Sequence, residues 1–249
     1  MSKFLVALCD GHGMSTAGKR TPSINGKVTH ENEFNRAVVG YLDIELKRCG
    51  FNTLLVAPGD SDVSLSSRVT LANVKGADAY VSIHYNAFDG SFGGADPSGL
   101  SVHVYPNSTN GKKLGNSILK YLKTGTNQIN RGLKESNFYV LHHTSMPAIL
   151  SENGFMDNKR EALLMLDVNF QKEVAREHCQ GICEYFGVKH IPVADKKVIV
   201  KEVDKNIDVI APTGHYFKIQ VGAFSHKSYA DAEAARLKAL GIKNIVTLD

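Results

Sequence analysis

Four side chains in this sequence are of the types that metal-assisted hydrolysis uses. His12 stands in Asp10-Gly-His-Gly13, Glu31 in Thr29-His-Glu-Asn32, His84 in Ser82-Ile-His-Tyr-Asn86, and Glu152 in Met146-Pro-Ala-Ile-Leu-Ser-Glu-Asn-Gly-Phe155. A hydrolytic zinc centre takes three protein ligands, commonly two His and a carboxylate, and keeps one position open for water. Zinc then lowers the pKa of that water to about 7 and polarises the carbonyl under attack. The glycines beside His12 would let its backbone come close to a metal. The spacing of His12, Glu31 and His84 matches no compact motif such as His-Glu-x-x-His. Each therefore also has a plain structural reading. A Glu in a first helical turn favours the helix dipole, and a His at a strand end serves as a hydrogen-bonded core residue. Glu152 follows Ala148-Ile-Leu150, which reads as a short strand buried on both faces, begun by Pro147 and broken by Gly154. An unpaired carboxylate there costs on the order of several kcal/mol. Glu152 is thus either satisfied by a basic neighbour or poised for chemistry.

The elements that must position these residues alternate along the chain. Strands are predicted at Phe4–Leu8, Asn52–Val56, Asp78–His84 and Leu100–Tyr105. Helices are predicted at Glu31–Arg48, Leu65–Lys75, Gly111–Lys123 and, in one or two pieces, Lys159–Phe186. In the first helix Phe34, Ala37, Val38, Tyr41 and Leu42 make one apolar face. The alternation predicts an α/β fold, a largely parallel twisted sheet flanked by helices. Ligands of such sheets gather at the carboxyl ends of the strands, where His12, His84 and Glu152 all fall.

At 249 residues the chain can hold one domain of about 190 residues and a small second one. Apolar residues make up 43% and charged residues 22%, as in ordinary globular proteins. No apolar window is long enough to span a membrane. The net charge of +4 comes without the Lys/Arg clusters of nucleic-acid binders, and would give weak attraction to an anionic surface such as a bacterial wall. The apolar run near the start is short and ends in Asp10-Gly11, so it reads as a first strand and not as a signal peptide. The cysteines Cys9, Cys49, Cys179 and Cys183 fit no zinc ribbon or disulfide framework. Cys179 and Cys183, one helical turn apart, could bind metal; packing of reduced thiols in the core is the expectation.

Residues 4–187 resemble the zinc-dependent N-acetylmuramoyl-L-alanine amidases, the branch with sporulation lysins and phage endolysins. The matching pieces occur in the family's order. They are Asp10-Gly-His-Gly13, Glu31 with Phe34-Asn35 and Val38, Arg68-Val-Thr-Leu-Ala-Asn73, Ala77 to Ala87, Asn130-Arg-Gly-Leu-Lys134, Phe138-Tyr-Val-Leu141 and Met146 to Phe155. The first motif departs from the family's pattern, with no Pro between Asp10 and Gly11 and with Met14 after Gly13. The resemblance implies that His12, Glu31 and His84 hold one Zn2+ per catalytic domain and that Glu152 is the catalytic carboxylate. Glu33 is a rival ligand, but Glu31 keeps the register with Asn35 and Val38. It also implies hydrolysis of the amide between N-acetylmuramic acid and L-alanine of peptidoglycan by zinc-activated water, with cell-wall lysis. A zinc peptidase cutting within the stem peptide, or a non-catalytic wall-binding protein, are the alternatives. The other histidines, His30, His103, His142, His143 and His178, are expected to be structural or solvated.

Residues 215–249 resemble half of the sporulation-related peptidoglycan-binding repeat, most specifically in Ile219-Gln-Val-Gly-Ala-Phe-Ser225. The expected organisation is a catalytic domain over 1–187, a linker over 188–214 and a small C-terminal βαβ half-module over 215–249. A unit of about 35 residues is too small to bury a core by itself. It would be completed by the strand Val198–Val203 or by a second chain, the latter giving a homodimer; the alternative is a docked or frayed remnant. The expected partner is peptidoglycan. Synthesis in the cytoplasm without a signal peptide implies release by a holin-type pore or by mother-cell lysis. The insert Asp89–Ser98 is expected at the edge of the binding groove.

Overall fold

Strands rich in Val, Leu, Ile and Ala assemble into one six-stranded sheet in the computed structural model, which describes residues 4–93 and 96–193. The strands are β1 (Leu5–Asp10), β2 (Asn52–Leu55), β3 (Ala79–Asn86), β4 (Leu100–Val104), β5 (Asn130–Glu135) and β6 (Ala148–Phe155). The helices are α1 (Glu31–Arg48), α2 (Leu65–Val74), α3 (Thr109–Gly125), α4 (Tyr139–His142), α5 (Lys159–Met165) and α6 (Val168–Phe186). The sheet order is β2-β1-β3-β6-β4-β5. All neighbours pair parallel except β4 and β6, which run antiparallel. The expected largely parallel α/β sheet is therefore present. All of these residues lie in the compact unit Met1–Ala194.

The two faces of the sheet bury different cores, because successive side chains of a strand alternate. On one face Val6, Leu8, Val81, Ile83, Val102 and Ile149 pack against Phe34, Val38 and Leu42 of α1, Leu114 and Ile118 of α3, and Val174 and Ile182 of α6. On the other, Ala7, Cys9, Tyr80, Ala148 and Leu150 pack against Val69 and Ala72 of α2 and Val140 and Leu141 of α4. Caps fix the helix ends. Ser64 and Ser108 accept the backbone N–H of Ser67 and Gly111, and Gly187 closes α6 at a left-handed φ of 65°.

Some details sharpen or correct the sequence reading. Gly154 does not break the last strand, and β6 continues to Phe155, which puts Glu152 inside a strand and not off its end. At φ 145° Gly154 leaves room for the Tyr85 ring; a Cβ there would come within 2.4 Å of the Tyr85 hydroxyl. The segment 159–186 is two helices separated at Leu166 and Asp167. β5 and α4 are elements the periodicity does not reveal. The expected strand Val198–Val203 and the βαβ half-module lie outside the described residues.

Candidate metal and catalytic centre

The loop after β1 carries His12 in a conformation that side chains rarely adopt, with φ at 65°. Polar residues of α1 hold it there. Asn32 Nδ2 donates to the carbonyls of Asp10, Gly11 and His12 at 3.0, 3.2 and 3.0 Å. Asn35 Nδ2 donates to the Gly11 carbonyl at 3.0 Å, and the buried Arg68 guanidinium reaches the His12 carbonyl at 3.2 Å. The glycines have a different use from the one expected. A Cβ on Gly11 would lie 2.1 Å from His84 Cε1, and one on Gly13 would lie 2.5 Å from the Asp62 backbone nitrogen. They admit a neighbouring ring and a neighbouring chain segment.

The fold brings His12, Glu31 and His84 together, with one ligand atom from each lying within 4.8 Å of the others. Glu31 is buried at the first turn of α1. Its Oε1 accepts from the Tyr85 backbone N–H at 3.1 Å and from Asn35 Nδ2 at 3.2 Å, and lies 3.0 Å from His84 Nδ1. Its Oε2 is buried and accepts no hydrogen bond, with His12 Nε2 at 3.4 Å and Lys19 Nζ at 3.9 Å. Burial works against the Glu31 carboxylate, but the hydrogen bond from His84 and the charges of His84, His12 and Lys19 outweigh it and hold the group below its ordinary value. Burial lowers the His12 imidazole to about 4 against the pull of Glu31, so near neutral pH it offers a lone pair. The rival Glu33 is exposed and turned back, accepting the His30 backbone N–H at 2.8 Å.

This donor set fits a zinc ion. Two imidazoles and a carboxylate are the ligand types of hydrolytic zinc sites. A tetrahedral ion with bonds near 2.1 Å has ligand-to-ligand edges of about 3.4 Å. The buried Glu31 oxygen without a donor is the atom that a cation would satisfy.

Glu152 pairs in register with His84 of β3 on one side and with Ser101 of β4 on the other. Its Oε2 is buried and has no hydrogen-bond partner. Burial first, and then the Glu31 charge, push its carboxyl well above the ordinary range, against the pull of Lys19 and Lys134. The basic neighbour of the structural reading is therefore not hydrogen-bonded to this oxygen. Beside Glu152, Asn153 Nδ2 donates to the His84 carbonyl at 3.0 Å and ties the two strand ends.

Sequence reasoning missed the supports of this centre. Asn32 carried no motif, and Asn35 and Arg68 entered only as matches without a role. The available signal was that Asn32 and Asn35 are polar residues on the face of α1 that buries Phe34 and Val38. Of the remaining histidines, His178 is fully buried between the Val174 carbonyl and Ser151 Oγ, and burial lowers it to about 4. His103 is buried between Ser101 Oγ and Ser136 Oγ. His142 and His143 stack on Tyr105 and Tyr139.

Two His and two carboxylates, carried by the loop after β1, the start of α1, β3 and β6 of an α/β sheet, are the residue types that metal-assisted hydrolases use. Comparison with known proteins places the chain further. The N-acetylmuramoyl-L-alanine amidase family matches residues 6–184, and the chain belongs to that family. A SPOR domain matches residues 213–248. The chain is 30% identical over 241 residues to N-acetylmuramoyl-L-alanine amidase CwlM of Bacillus licheniformis, covering 95% of this chain and 81% of that one. It is 31% identical over 206 residues to a sporulation-specific N-acetylmuramoyl-L-alanine amidase of Bacillus subtilis, covering 80% and 68%. Among solved structures, the catalytic domain of the amidase CwlV from Bacillus (Paenibacillus) polymyxa superposes with a TM-score of 0.67 at 30% identity, over 75% of this chain and 99% of that one. An N-acetylmuramoyl-L-alanine amidase from Clostridium difficile gives a TM-score of 0.68 at 28% identity, over 75% and 98%. Among the described residues no helix is long and apolar enough to cross a membrane.

Proposed function

We propose that this protein hydrolyses the amide joining N-acetylmuramic acid to L-alanine in peptidoglycan and thereby opens the cell wall. The observation that carries the reading is the convergence of His12, Glu31 and His84 near Glu152, whose Oε2 is buried and has no hydrogen-bond partner. His12, Glu31 and His84 would hold one zinc ion, which when bound supplies Lewis-acid polarisation of the carbonyl and a water of lowered pKa. Glu31 is fixed by the Tyr85 N–H and Asn35, so its free oxygen keeps its direction. Glu152 Oε2 takes the proton that the attacking water gives up and delivers it to the nitrogen of the departing L-alanine. The lactyl carbonyl carbon gains the hydroxyl oxygen, and the C–N bond breaks. Lys19 and Lys134 lie close enough to act on the charge of Glu152, and they would also favour the anionic stem peptide.

In this reading residues 1–187 are the catalytic domain, 188–214 a linker and 215–249 a wall-binding half-repeat. Completion of that half by a second chain would make a homodimer. Light scattering of the full chain beside a version ending at Gly187 tests this; monomer masses for both remove the dimer.

Digestion of purified peptidoglycan followed by labelling of new amino termini tests the activity. New N-terminal alanine is the expected result. Other new termini would mean a stem-peptide peptidase, and none would mean wall binding alone. Glu152→Gln should retain zinc while losing turnover by at least about a hundredfold. Loss of zinc from that variant would make Glu152 a ligand and sink the assignment.

A further inference from the structure

All four cysteines are free and buried, and three of them converge far from His12 in the sequence. Cys49 caps the C-terminus of α1, and Cys179 and Cys183 lie one turn apart on α6. Core packing was the expectation for Cys179 and Cys183, but their neighbours go beyond packing. The Sγ atoms of Cys49, Cys179 and Cys183 all lie within 4.8 Å of one another. The Cys49 and Cys179 sulfurs are 3.8 Å apart. A tetrahedral zinc ion with Zn–S bonds of about 2.3 Å has sulfur-to-sulfur edges of about 3.8 Å. A sulfur pair at this distance is ready for a shared ion, whereas a disulfide needs the two sulfurs at about 2.0 Å.

A fourth donor stands beside one of them, Cys179. A ring nitrogen of His190 lies within 4.8 Å of both Cys179 Sγ and a Glu45 carboxylate oxygen. His190 Nε2 is buried and has no hydrogen-bond partner, with Glu45 Oε2 4.0 Å away. Outer contacts frame the cluster. The Ile191 backbone N–H donates to Cys49 Sγ at 3.3 Å, the kind of outer contact that steadies a metal-bound sulfur. Arg48 donates through Nε to the Ile191 carbonyl at 2.8 Å and pairs with Glu45, bringing a guanidinium to the rim.

We propose that Cys49, Cys179, Cys183 and His190 form a second metal site, a closed Cys3His zinc centre distinct from His12, Glu31 and His84. Four protein ligands leave no open position for water, so the centre is structural and not catalytic. It joins the end of α1, the last turns of α6 and the segment that follows Gly187. Glu45 offers a carboxylate next to His190, but three thiolates already satisfy a soft ion, and imidazole is the commoner fourth partner.

The test uses the full chain, purified with its thiols reduced, and zinc alone as the probe. The wild type should hold two zinc ions per chain, and His12→Ala should hold one. A variant carrying both His12→Ala and Cys179→Ser should hold none. Cobalt loaded into His12→Ala should give the near-ultraviolet thiolate-to-cobalt charge-transfer band, which a site of nitrogen and oxygen ligands cannot produce. His190→Ala leaves the helices untouched, so it guards against loss through misfolding. It should weaken the remaining ion at least about tenfold in chelator competition. A His12→Ala protein that holds no zinc, a cobalt-loaded His12→Ala protein without the thiolate band, or a Cys49–Cys179 disulfide in the isolated protein would each overturn the proposal. The cobalt band is read without the catalytic ion, so failure of this site and failure of the amidase reading are told apart.

Discussion

Removing the side-chain amide of Asn32 should loosen His12, a proposed zinc ligand, without touching any of the proposed ligands. Asn32 Nδ2 faces the carbonyls of Asp10, Gly11 and His12 within 3.2 Å. An amide nitrogen has two hydrogens, so these contacts amount to two hydrogen bonds with one shared. At about 1 kcal/mol net for each, the amide contributes roughly 2 kcal/mol to the loop's shape. Against this stands the left-handed backbone of His12 at φ 65°, a conformation costing about 1–2 kcal/mol for a residue with a Cβ. The two quantities are nearly equal, so without the amide the strained loop loses its excess and relaxes before metal binds. Zinc must then restore the geometry, and its affinity should fall by the same roughly 2 kcal/mol, about thirtyfold. Asn32→Ala measured by chelator competition on the full chain reads this directly, and thermal melting of the metal-free protein should change far less than zinc affinity. Asn32→Asp should be worse, because it sets an anion against three carbonyls. An Asn32→Ala protein that binds zinc within twofold of the wild type would refute the reasoning.

Two further side chains carry predictions about stability. Glu161 is fully buried and accepts the backbone N–H of Gly99 at 2.9 Å, that of Phe155 at 2.8 Å, and Gln128 Nε2 at 3.1 Å. Glu161→Ala strands these donors and should cost about 3–5 kcal/mol in urea unfolding followed by circular dichroism; a loss below about 1 kcal/mol would contradict the clamp. Glu177 has both carboxyl oxygens buried and unpartnered, and burial, with Glu173 adding like charge, raises it to about 9 from an ordinary 4.5. The folded state thus binds more protons than the unfolded one between those values, and stability falls as pH rises through that window. Glu177→Gln removes the titration, so its stability relative to the wild type should improve by about 1–3 kcal/mol from pH 6 to pH 8, allowing for solvent screening. An unchanged difference between the two pH values would show that Glu177 is already ionised at pH 6.

Much of the fold was legible because its elements obey simple periods. The first helix runs over Glu31–Arg48 as the apolar face Phe34, Val38, Leu42 requires. β5 was hidden because Asn-Arg-Gly-Leu-Lys-Glu contains a single aliphatic residue, at a sheet edge where pairing and not burial defines the strand. α4 is a single turn of four residues, too short for a helical period. Gly154 misled because its local preference signals a break, whereas the reason for glycine lies on a neighbouring strand in the ring of Tyr85. The four site residues were singled out by residue type and by resemblance to the family, but the hydrogen bonds that hold them in place left no such signal. Asn32 acts on carbonyls more than 20 positions away in the chain, and main-chain acceptors leave no trace in residue identities. The thiol cluster was half visible for the same reason: Cys179 and Cys183 share a helical turn, while Cys49 and His190 reach them only through tertiary packing.

The reversed direction of β4 gives this enzyme an adjustable margin. Since β4 runs antiparallel to β6, and β6 parallel to β3, the chain leaving β3 beyond His84 need not cross the sheet before β4 begins. The connection stays at the edge where the reaction takes place, and Ser101, near the start of β4, lies beside Glu152. Asp157 secures its first residues by accepting the N–H groups of Phe88, Asp89 and Gly90, and Glu161 secures its end at Gly99. Between those two anchors, the insert can be lengthened or recomposed while His12, Glu31, His84 and Glu152 keep their own supports elsewhere in the fold. Exchanging this one segment between relatives therefore varies the edge of the site without rebuilding its centre.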